Sequence, residues 1–180
     1  KKWNLDVNQD NIPDDIFLPE YVKTAKGTNS LENRIQYHSY YPDGNIQEIS
    51  KTDGTHIVYI WGYNNQYPIA MIENAVYNEV SSYVTDLQNK SNLDTDHCLD
   101  TQVCKEKELR DALNNMRNDA TYKTKWQVTT YTYNPLIGMT SSTDPKGYTL
   151  YYTYDAAGRL QFVKDKNDNI LSENQYNYKQ

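Results

Sequence analysis

The feature that most constrains this chain is a hairpin pattern that recurs along it. From Tyr151 to Tyr176 the sequence reads YYTYDAAGRLQFVKDKNDNILSENQY. Apolar and polar residues alternate, the chain turns at Gly158, alternation resumes, and an Asn/Asp cluster marks a second turn. A period of two is typical of a strand with one buried face, and glycine or asparagine between two such runs indicates a turn. The pattern predicts consecutive antiparallel hairpins.

The same frame occurs three times, which indicates a repeat architecture. A tyrosine is followed by a glycine about four residues later and by a second turn residue fourteen later. In the second copy the first glycine, Gly138, comes one residue late. We expect structural roles for the frame residues, which are Tyr40, Gly44 and Gly54; Tyr133, Gly138 and Gly147; and Tyr154, Asp155, Gly158, Arg159, Asp165 and Asp168.

Two Asp-Gly pairs, in PDGN and TDGT, separate the alternating runs RIQYHSYY, IQEISK and HIVYIWGY. Asp-Gly supplies the positive φ that a tight hairpin requires, so both pairs predict hairpin corners. Upstream, the sequence predicts a short strand over residues 3–7 and an edge strand over residues 16–27, interrupted by Pro19.

Between residues 72 and 120 the apolar period changes from two to that of a helix. The first stripe consists of Ile72, Val76, Val80, Val84 and Leu87, with Asn74 as a predicted N-cap, and the second consists of Leu109, Leu113 and Met116. We expect a two-helix hairpin that packs on itself or on the sheet. Neither stripe carries a ligand set, so a core role is favoured over a cofactor pocket.

Composition agrees with a thin β protein. Leu, Ile, Val and Phe make up only 34 of the 180 residues, but there are 18 tyrosines, whose rings bury apolar area while the hydroxyl finds a polar partner. The sequence predicts a mainly β fold with a helical insertion (α+β). We expect one structural domain with an irregular segment (1–30), hairpin repeats (31–71), the helical hairpin (72–120) and further hairpins (121–180).

Charge and motifs exclude several classes of function. The net charge of −6 and scattered basic residues argue against nucleic acid as a partner, and no apolar run is long enough to span a membrane. Because no hydrolase, metalloprotease or phosphate-loop motif is present, we expect no enzyme activity, catalytic residue, cofactor or metal. His38, His56 and His97 are candidates for catalysis by residue type, but His38 and His56 lie on predicted strands and are interpreted as solvent-facing side chains without a catalytic role.

Cys98 and Cys104 leave two alternatives open. A local disulfide is favoured if the chain is exported, and two unpaired thiols are equally compatible with the spacing. A zinc site is disfavoured, because four ligands are not apparent at this spacing.

Aromatic residues suggest a second class of function. Exposed tyrosine and tryptophan rings can stack against sugars, although cross-strand packing explains the same residues. The residues considered for glycan stacking are Tyr59, Trp61, Tyr63, Tyr67, Tyr151 and Tyr152.

The segment YTYDAAGRLQFVKDKNDN resembles the YD repeat of Rhs (rearrangement hotspot) proteins. The resemblance is close over residues 152–169, moderate over YYPDGNIQEISKTDGT and loose over residues 131–154. Tyr41 and Asn134 stand where the family has aspartate. IQYHSYYPDGN, DGTHIVYIWGYN and PIAMIENA are similar to long Rhs-type envelope proteins of Bacteroidetes-like bacteria, near the C-terminal end of the repeat region.

This resemblance implies a segment of a β-shell or scaffold in an exported protein, at the cell surface, at the outer membrane or outside the cell. Its partners would be neighbouring repeats of its own polypeptide and a C-terminal effector beyond Gln180. An excised stretch of such an array has unpaired strand edges, and we expect these to associate with other copies or to be capped by the N-terminal segment or the helical hairpin. The family also implies an autocleavage motif, but the segment from Asp144 to Gly147 is interpreted as an ordinary turn.

Overall fold

The computed structural model describes residues 1–8, 10, 12–98 and 103–176. Within them, twelve strands and two helices follow one another. They are β1 (Lys2–Leu5), β2 (Asp14–Phe17), β3 (Tyr21–Thr24), β4 (Glu32–Tyr40), β5 (Ile46–Lys51), β6 (His56–Gly62), β7 (Tyr67–Glu73), α1 (Tyr77–Leu93), α2 (Lys105–Arg117), β8 (Gln127–Asn134), β9 (Gly138–Thr143), β10 (Thr149–Tyr154), β11 (Leu160–Lys164) and β12 (Ile170–Glu173).

In the described residues, strands β3 to β12 form one ten-stranded antiparallel sheet in the order of the sequence. Even the strands on either side of the helical insertion are neighbours, since Ile72 of β7 pairs with Val128 of β8. Each strand therefore pairs with the one before it, as expected for consecutive hairpins. The prediction of a mainly β fold with a two-helix insertion is confirmed.

The two helices cover one face of the middle of this sheet. Their buried residues include Val80, Val84 and Leu87 of α1 and Leu109, Leu113 and Met116 of α2, as the helical period predicts. They pack on Val58, Ile60, Ala70, Ile72 and Val128 of the sheet. Neither described helix is long and apolar enough to cross a lipid bilayer.

The prediction was wrong at the start of the insertion. Ile72 belongs to strand β7, and Asn74 has a φ of 62° in the turn that follows, so it is not the N-cap. Helix α1 instead begins after Val76, whose N–H donates to the Glu79 carboxylate. The sequence analysis also did not identify β7 as a strand. Its Pro68 is tolerated because it lies at a register shift opposite Trp61.

The N-terminal segment divides where Pro19 predicts a break. Residues 16–17 belong to β2, which pairs with β1 in a separate two-stranded sheet, and residues 21–24 form β3. The predicted edge is confirmed for β3, which ends the large sheet beside β4. The predicted strand over residues 3–7 lies one residue earlier and is shorter, as β1.

Candidate functional site

Five turns among the described residues have the same conformation. They begin at Tyr41, Lys51, Asp144, Asp155 and Asp165. In each, the N–H of the first residue donates to the carbonyl of the fifth, and the N–H of the fourth donates back to the carbonyl of the first. The fourth residue always has a positive φ, between 65° and 87°, and is Gly44, Gly54, Gly147, Gly158 or Asp168.

This conformation is a three-residue hairpin loop with a bulge, so it differs in detail from the predicted tight corner. Asp43 and Asp53 do not have a positive φ, and only the glycine after each of them does. The aspartates act through their side chains, since Asp43 and Asp53 accept the N–H two residues on. Such loops are the common alternative to two-residue hairpin turns.

Aspartate at the first position of this turn holds it more extensively. The Oδ1 atom of Asp155 accepts the N–H groups of Ala157 and Arg159, and Asp165 does the same with Asn167 and Asn169. Asp155 also pairs with the Arg159 side chain, whose hydrogen bond lowers the pKa of Asp155. The segment from Asp144 to Gly147 belongs to one of the five turns, which confirms its interpretation as a turn.

A second repeated feature joins the strands of the large sheet in consecutive pairs. We call each pair a unit; the units are β3–β4, β5–β6, β7–β8, β9–β10 and β11–β12. An aromatic side chain at or just beyond the end of an even-numbered strand donates a hydrogen bond to a carbonyl near the start of the preceding strand. We call these side chains the aromatic clamps. They are Tyr40 to Pro19 (2.8 Å), Trp61 to Ile46 (2.8 Å), Tyr133 to Pro68 (3.1 Å), Tyr154 to Met139 (2.8 Å) and Tyr176 to Leu160 (3.0 Å).

The clamps show the period of the chain more fully than the three tyrosines predicted from sequence. Tyr40 and Trp61 are 21 residues apart, Tyr133 and Tyr154 are 21 apart, and Tyr176 follows 22 residues later. The sequence analysis missed Trp61 and Tyr176. Their spacing was a usable signal, but a tryptophan stands in for tyrosine in one case and no turn glycine follows in the other.

Gly138 has a different role from the turn glycines with which it was aligned. It begins β9 with a φ of 153°, and a Cβ there would lie 2.8 Å from the Tyr154 hydroxyl oxygen. The glycine leaves room for the clamp of the next unit. Its one-residue offset from the frame therefore reflects a different structural role: Gly138 makes room for the Tyr154 ring and is not a turn residue.

The aromatic residues considered for glycan stacking do not form one exposed surface. Tyr63 and Tyr151 are buried, with Tyr151 0% exposed, so neither can stack against a sugar. Both belong to the side of the sheet under the helical insertion. The other four considered residues are half-buried, and they are Tyr59, Trp61, Tyr67 and Tyr152. Of these, Trp61 and Tyr67 also pack against the main core.

Tyr59 and Tyr152 lie on the face opposite the helices. In β6, Tyr59 alternates with the core residues Val58 and Ile60. In β10, Tyr152 follows Tyr151, which lies beneath the guanidinium of Arg110 of α2 at 5.3 Å. The Tyr152 hydroxyl is 2.9 Å from Ser142 on the neighbouring strand, so cross-strand contacts already use this residue.

The cysteines form a disulfide between Cys98 and Cys104, so the first of the two alternatives holds. The bond closes the loop between the helices and places Cys104 as the N-cap of α2, where its sulfur accepts the N–H of Lys107. Asp96 of the same loop accepts the N–H groups of Lys105 and Glu106. The loop is therefore attached to the first turn of α2.

Beneath this loop, Glu106 forms a buried ionic centre that sequence reasoning missed. It is 1% exposed and pairs with Arg110 and with Nδ1 of His97. It also accepts hydrogen bonds from Thr132 of β8 and Thr140 of β9, which connects α2 to the sheet. Burial alone would raise the pKa of Glu106, but these hydrogen bonds and the Arg110 charge lower it to about 2. The available signal was its position one turn before Leu109 and Arg110.

Asp94, just after α1, is a second buried carboxylate with the opposite behaviour. It is 6% exposed and accepts a 2.6 Å hydrogen bond from the Tyr63 hydroxyl. Burial, followed by the nearby charge of Glu106, raises its pKa to about 7.

Tyr63, the hydrogen-bond donor to Asp94, has a backbone φ of 50°, and its hydroxyl also accepts the N–H of Tyr133. A buried tyrosine in this backbone region is strained, and such strain is often found at functional sites.

His38 and His56, which were interpreted as solvent-facing, are each half-buried and contact one another. The rings of His38 and His56 stack with centroids 4.8 Å apart. His38 Nε2 lies 2.8 Å from the Ser50 hydroxyl, and His56 Nδ1 lies 2.6 Å from Glu48. Desolvation, followed by the charge of His56, lowers the pKa of His38. Residues of three adjacent strands bring these rings together, which alternation within one strand cannot reveal.

No group of three or more His, Cys, Asp or Glu side chains suited to a metal ion occurs in the described part of the chain. Comparisons with known proteins give no family. No protein-family model matches the sequence, and no curated protein matches it significantly. The resemblance to Rhs repeats therefore depends on the residues of this chain alone and stays a prediction.

Proposed function

We propose that this chain is a structural and interaction segment of an exported Rhs/YD-repeat protein, forming part of a non-catalytic β-shell or scaffold. The observation that carries the proposal is the repetition of one unit along the sheet. Each unit contains two antiparallel strands closed by an aromatic clamp. A sheet built from such units can be extended by adding further units, and an extended sheet of this kind is what a β-shell or scaffold requires.

The ends of the sheet support an interaction role. In the described residues, β3 and β12 each have one neighbouring strand, so each leaves a row of backbone N–H and C=O groups without a strand partner. In a longer array the next hairpin pairs with such an edge. Both edge strands have only four residues, and short edges limit non-specific pairing.

We therefore expect the isolated chain to associate weakly with itself through these edges, and sedimentation at increasing concentration measures this association. Leu171 of β12 is 57% exposed. A lysine at an edge strand opposes pairing, so Leu171→Lys is expected to shift the population toward the monomer. Leu136→Lys is the matched control, because Leu136 is 96% exposed on the β8–β9 turn, away from the edge.

The two variants together show whether the chain associates through its edge strands. Association weakened by Leu171→Lys and unchanged by Leu136→Lys supports the proposal. Equal effects of both variants, or a wild-type chain that stays monomeric at every concentration, count against a role in edge-to-edge assembly.

The alternative is a carbohydrate- or cell-surface-binding module, and one observation favours it. Tyr59 and Tyr152 are half-buried on the face that the helices leave uncovered. Calorimetry with polysaccharides tests this alternative, with Tyr59→Ala expected to weaken binding. Trp61→Ala is a less suitable test, because Trp61 is an aromatic clamp whose loss also affects folding. If no polysaccharide binds, the carbohydrate-binding alternative is contradicted.

A further inference from the structure

A small cavity lies between the loop that follows α1 and the turn that joins β8 to β9. Its volume is about 70 Å³, and it is lined by Asp94, Asp96 and His97 of the loop, by Asn134 and Thr140 of the sheet, and by Pro135 of the turn. An adjoining cavity of about 230 Å³ shares His97, Asn134 and Thr140 and continues along Ile137 and Tyr154. The smaller space is large enough for a polar head group of a few atoms, and the larger one is large enough for a short carbon chain.

Asp94 is the buried charge of this cavity that lacks a compensating cation. Among the described residues it forms no ion pair, and its hydrogen-bond donors are the neutral Tyr63 hydroxyl and the backbone N–H of Asp96. A buried carboxylate without a cation is unfavourable, and it retains its proton to a higher pH for that reason. Its raised pKa agrees with this arrangement.

The groups around Asp94 increase the negative character of the cavity. Glu106 of α2 is buried nearby, and Asp96 lines the same cavity. His97 is the one lining residue able to carry a positive charge among those described, and its Nδ1 is engaged with Glu106. Arg110 likewise pairs with Glu106. The cations present are therefore directed to Glu106 and not to Asp94.

We propose that this cavity binds the ammonium group of an alkylamine, with Asp94 as its counter-ion and the adjoining cavity holding the carbon chain. An ammonium group combines a positive charge with three hydrogen-bond donors. Asp94 offers its carboxylate as the main acceptor, and Asn134 Oδ1, which accepts the Leu136 N–H, has a second lone pair. The Thr140 hydroxyl is already bonded to Glu106. A divalent metal is a poorer match, because the described residues include no set of three suitable ligands. The amine can come from a free small molecule or from a lysine side chain.

The test uses two probes, n-butylammonium chloride and Nα-acetyl-lysine N-methylamide, titrated into the full chain. Backbone amide chemical shifts of residues 94–98 and 133–140 report binding at the cavity. Since the ammonium ion binds the ionised form of Asp94, affinity is expected to fall about tenfold for each pH unit below 7. His97 lines the same cavity and is also ionisable, so a variant of Asp94 is needed to assign the effect.

Asp94→Asn keeps the size of the side chain and removes its charge, and it is expected to weaken binding at least tenfold at pH 8. Asp86→Asn makes the same change in charge on the exposed part of α1, outside the cavity, and is expected to leave binding unchanged. Thermal unfolding of both variants verifies that they fold.

Binding of either probe that depends on Asp94 supports the proposal. Tighter binding of n-butylammonium assigns the site to free amines, and tighter binding of the lysine derivative assigns it to lysine side chains. Three results overturn the proposal: neither probe binds, sodium chloride produces the same shifts, or Asp94→Asn binds as well as the wild type.

Discussion

At the scale of single residues, the fold depends on polar atoms carried by side chains that are otherwise apolar. The Tyr154 ring occupies the space that Gly138 leaves, and its hydroxyl donates to the carbonyl of Met139. Ring packing and a hydrogen bond to the adjacent strand thus act together at one position. Tyrosine supplies both, which explains how a chain with few aliphatic residues maintains a wide sheet.

Tyr154→Phe tests the hydrogen bond of a clamp separately from its ring. The Met139 carbonyl loses its donor while the ring is retained, and we expect the free energy of unfolding to fall by about 1 kcal/mol. Chemical denaturation measures the change. Tyr148→Phe is the control, because Tyr148 is exposed in a turn. An equal loss in both variants would show that the clamp hydroxyl has no special contribution.

Glu106 gives a pH-dependent prediction. Its pKa is lowered from 4.5 to about 2 in the folded chain, so its stabilising effect is present above pH 4.5 and is lost as pH falls toward 2. Glu106→Gln removes this dependence together with the buried ion pair between Glu106 and Arg110. We expect it to cost about 3 to 5 kcal/mol at pH 7.

Denaturation of Glu106→Gln at pH 7 and at pH 3 measures both effects. Glu108→Gln lies on the same helix, where Glu108 is exposed and pairs with Lys105. This control is expected to change stability by less than about 0.5 kcal/mol. A loss for Glu106→Gln that is the same at both pH values would contradict the assigned ionisation.

At the scale of elements, the helical insertion is held at both ends of α2. The first turn is attached to the preceding loop by Asp96 and by the Cys98–Cys104 disulfide. The last turn reaches the sheet through Arg117, which donates to the Val128 carbonyl and to the Thr130 hydroxyl. The insertion is therefore connected to the strands by hydrogen bonds as well as by its apolar stripe.

Reduction of the disulfide is expected to loosen the start of α2. A loop this short contributes roughly 2 kcal/mol by the chain-entropy account. Hydrogen exchange at the amides of residues 105–108 should accelerate on reduction, while the amides of β8 change little. A double Cys98→Ser, Cys104→Ser variant should resemble the reduced chain and be insensitive to reductant. Unchanged exchange at α2 on reduction would mean that Asp96 and Glu106 alone hold the loop.

Helices and strands with a clear apolar period were predictable from the sequence, but the contacts between them were not. Alternation with turn glycines identified β4 to β6 and β8 to β12, since each pattern is local. Strand β7 was missed because Ile72 continued the helical spacing of Val76 and Val80, so the insertion was predicted to begin there. The Glu106 centre and the Asp94 cavity were not predictable, because they combine residues from the loop, a helix and two strands.

At the scale of the whole molecule, the sheet follows chain order without a crossover among its described strands. Hairpins on both sides of the helical insertion use the same turn and the same kind of clamp. The insertion interrupts the sequence period without interrupting the sheet, since β7 and β8 pair directly. Such a design tolerates an insertion between the two strands of one unit, because the clamp of that unit, Tyr133 to Pro68, is retained.

The most direct test of the central claim is to lengthen the array by one unit. A second copy of residues 134–154 is inserted after Tyr154, and the denaturant dependence of unfolding is measured with circular dichroism. If the two-strand unit with its clamp is the building block, the lengthened chain folds with more strand content and a larger m-value, because more surface is buried. An insert of the same 21 residues in scrambled order should give neither. Loss of cooperative unfolding with the true copy, or equal behaviour of both inserts, would contradict the account.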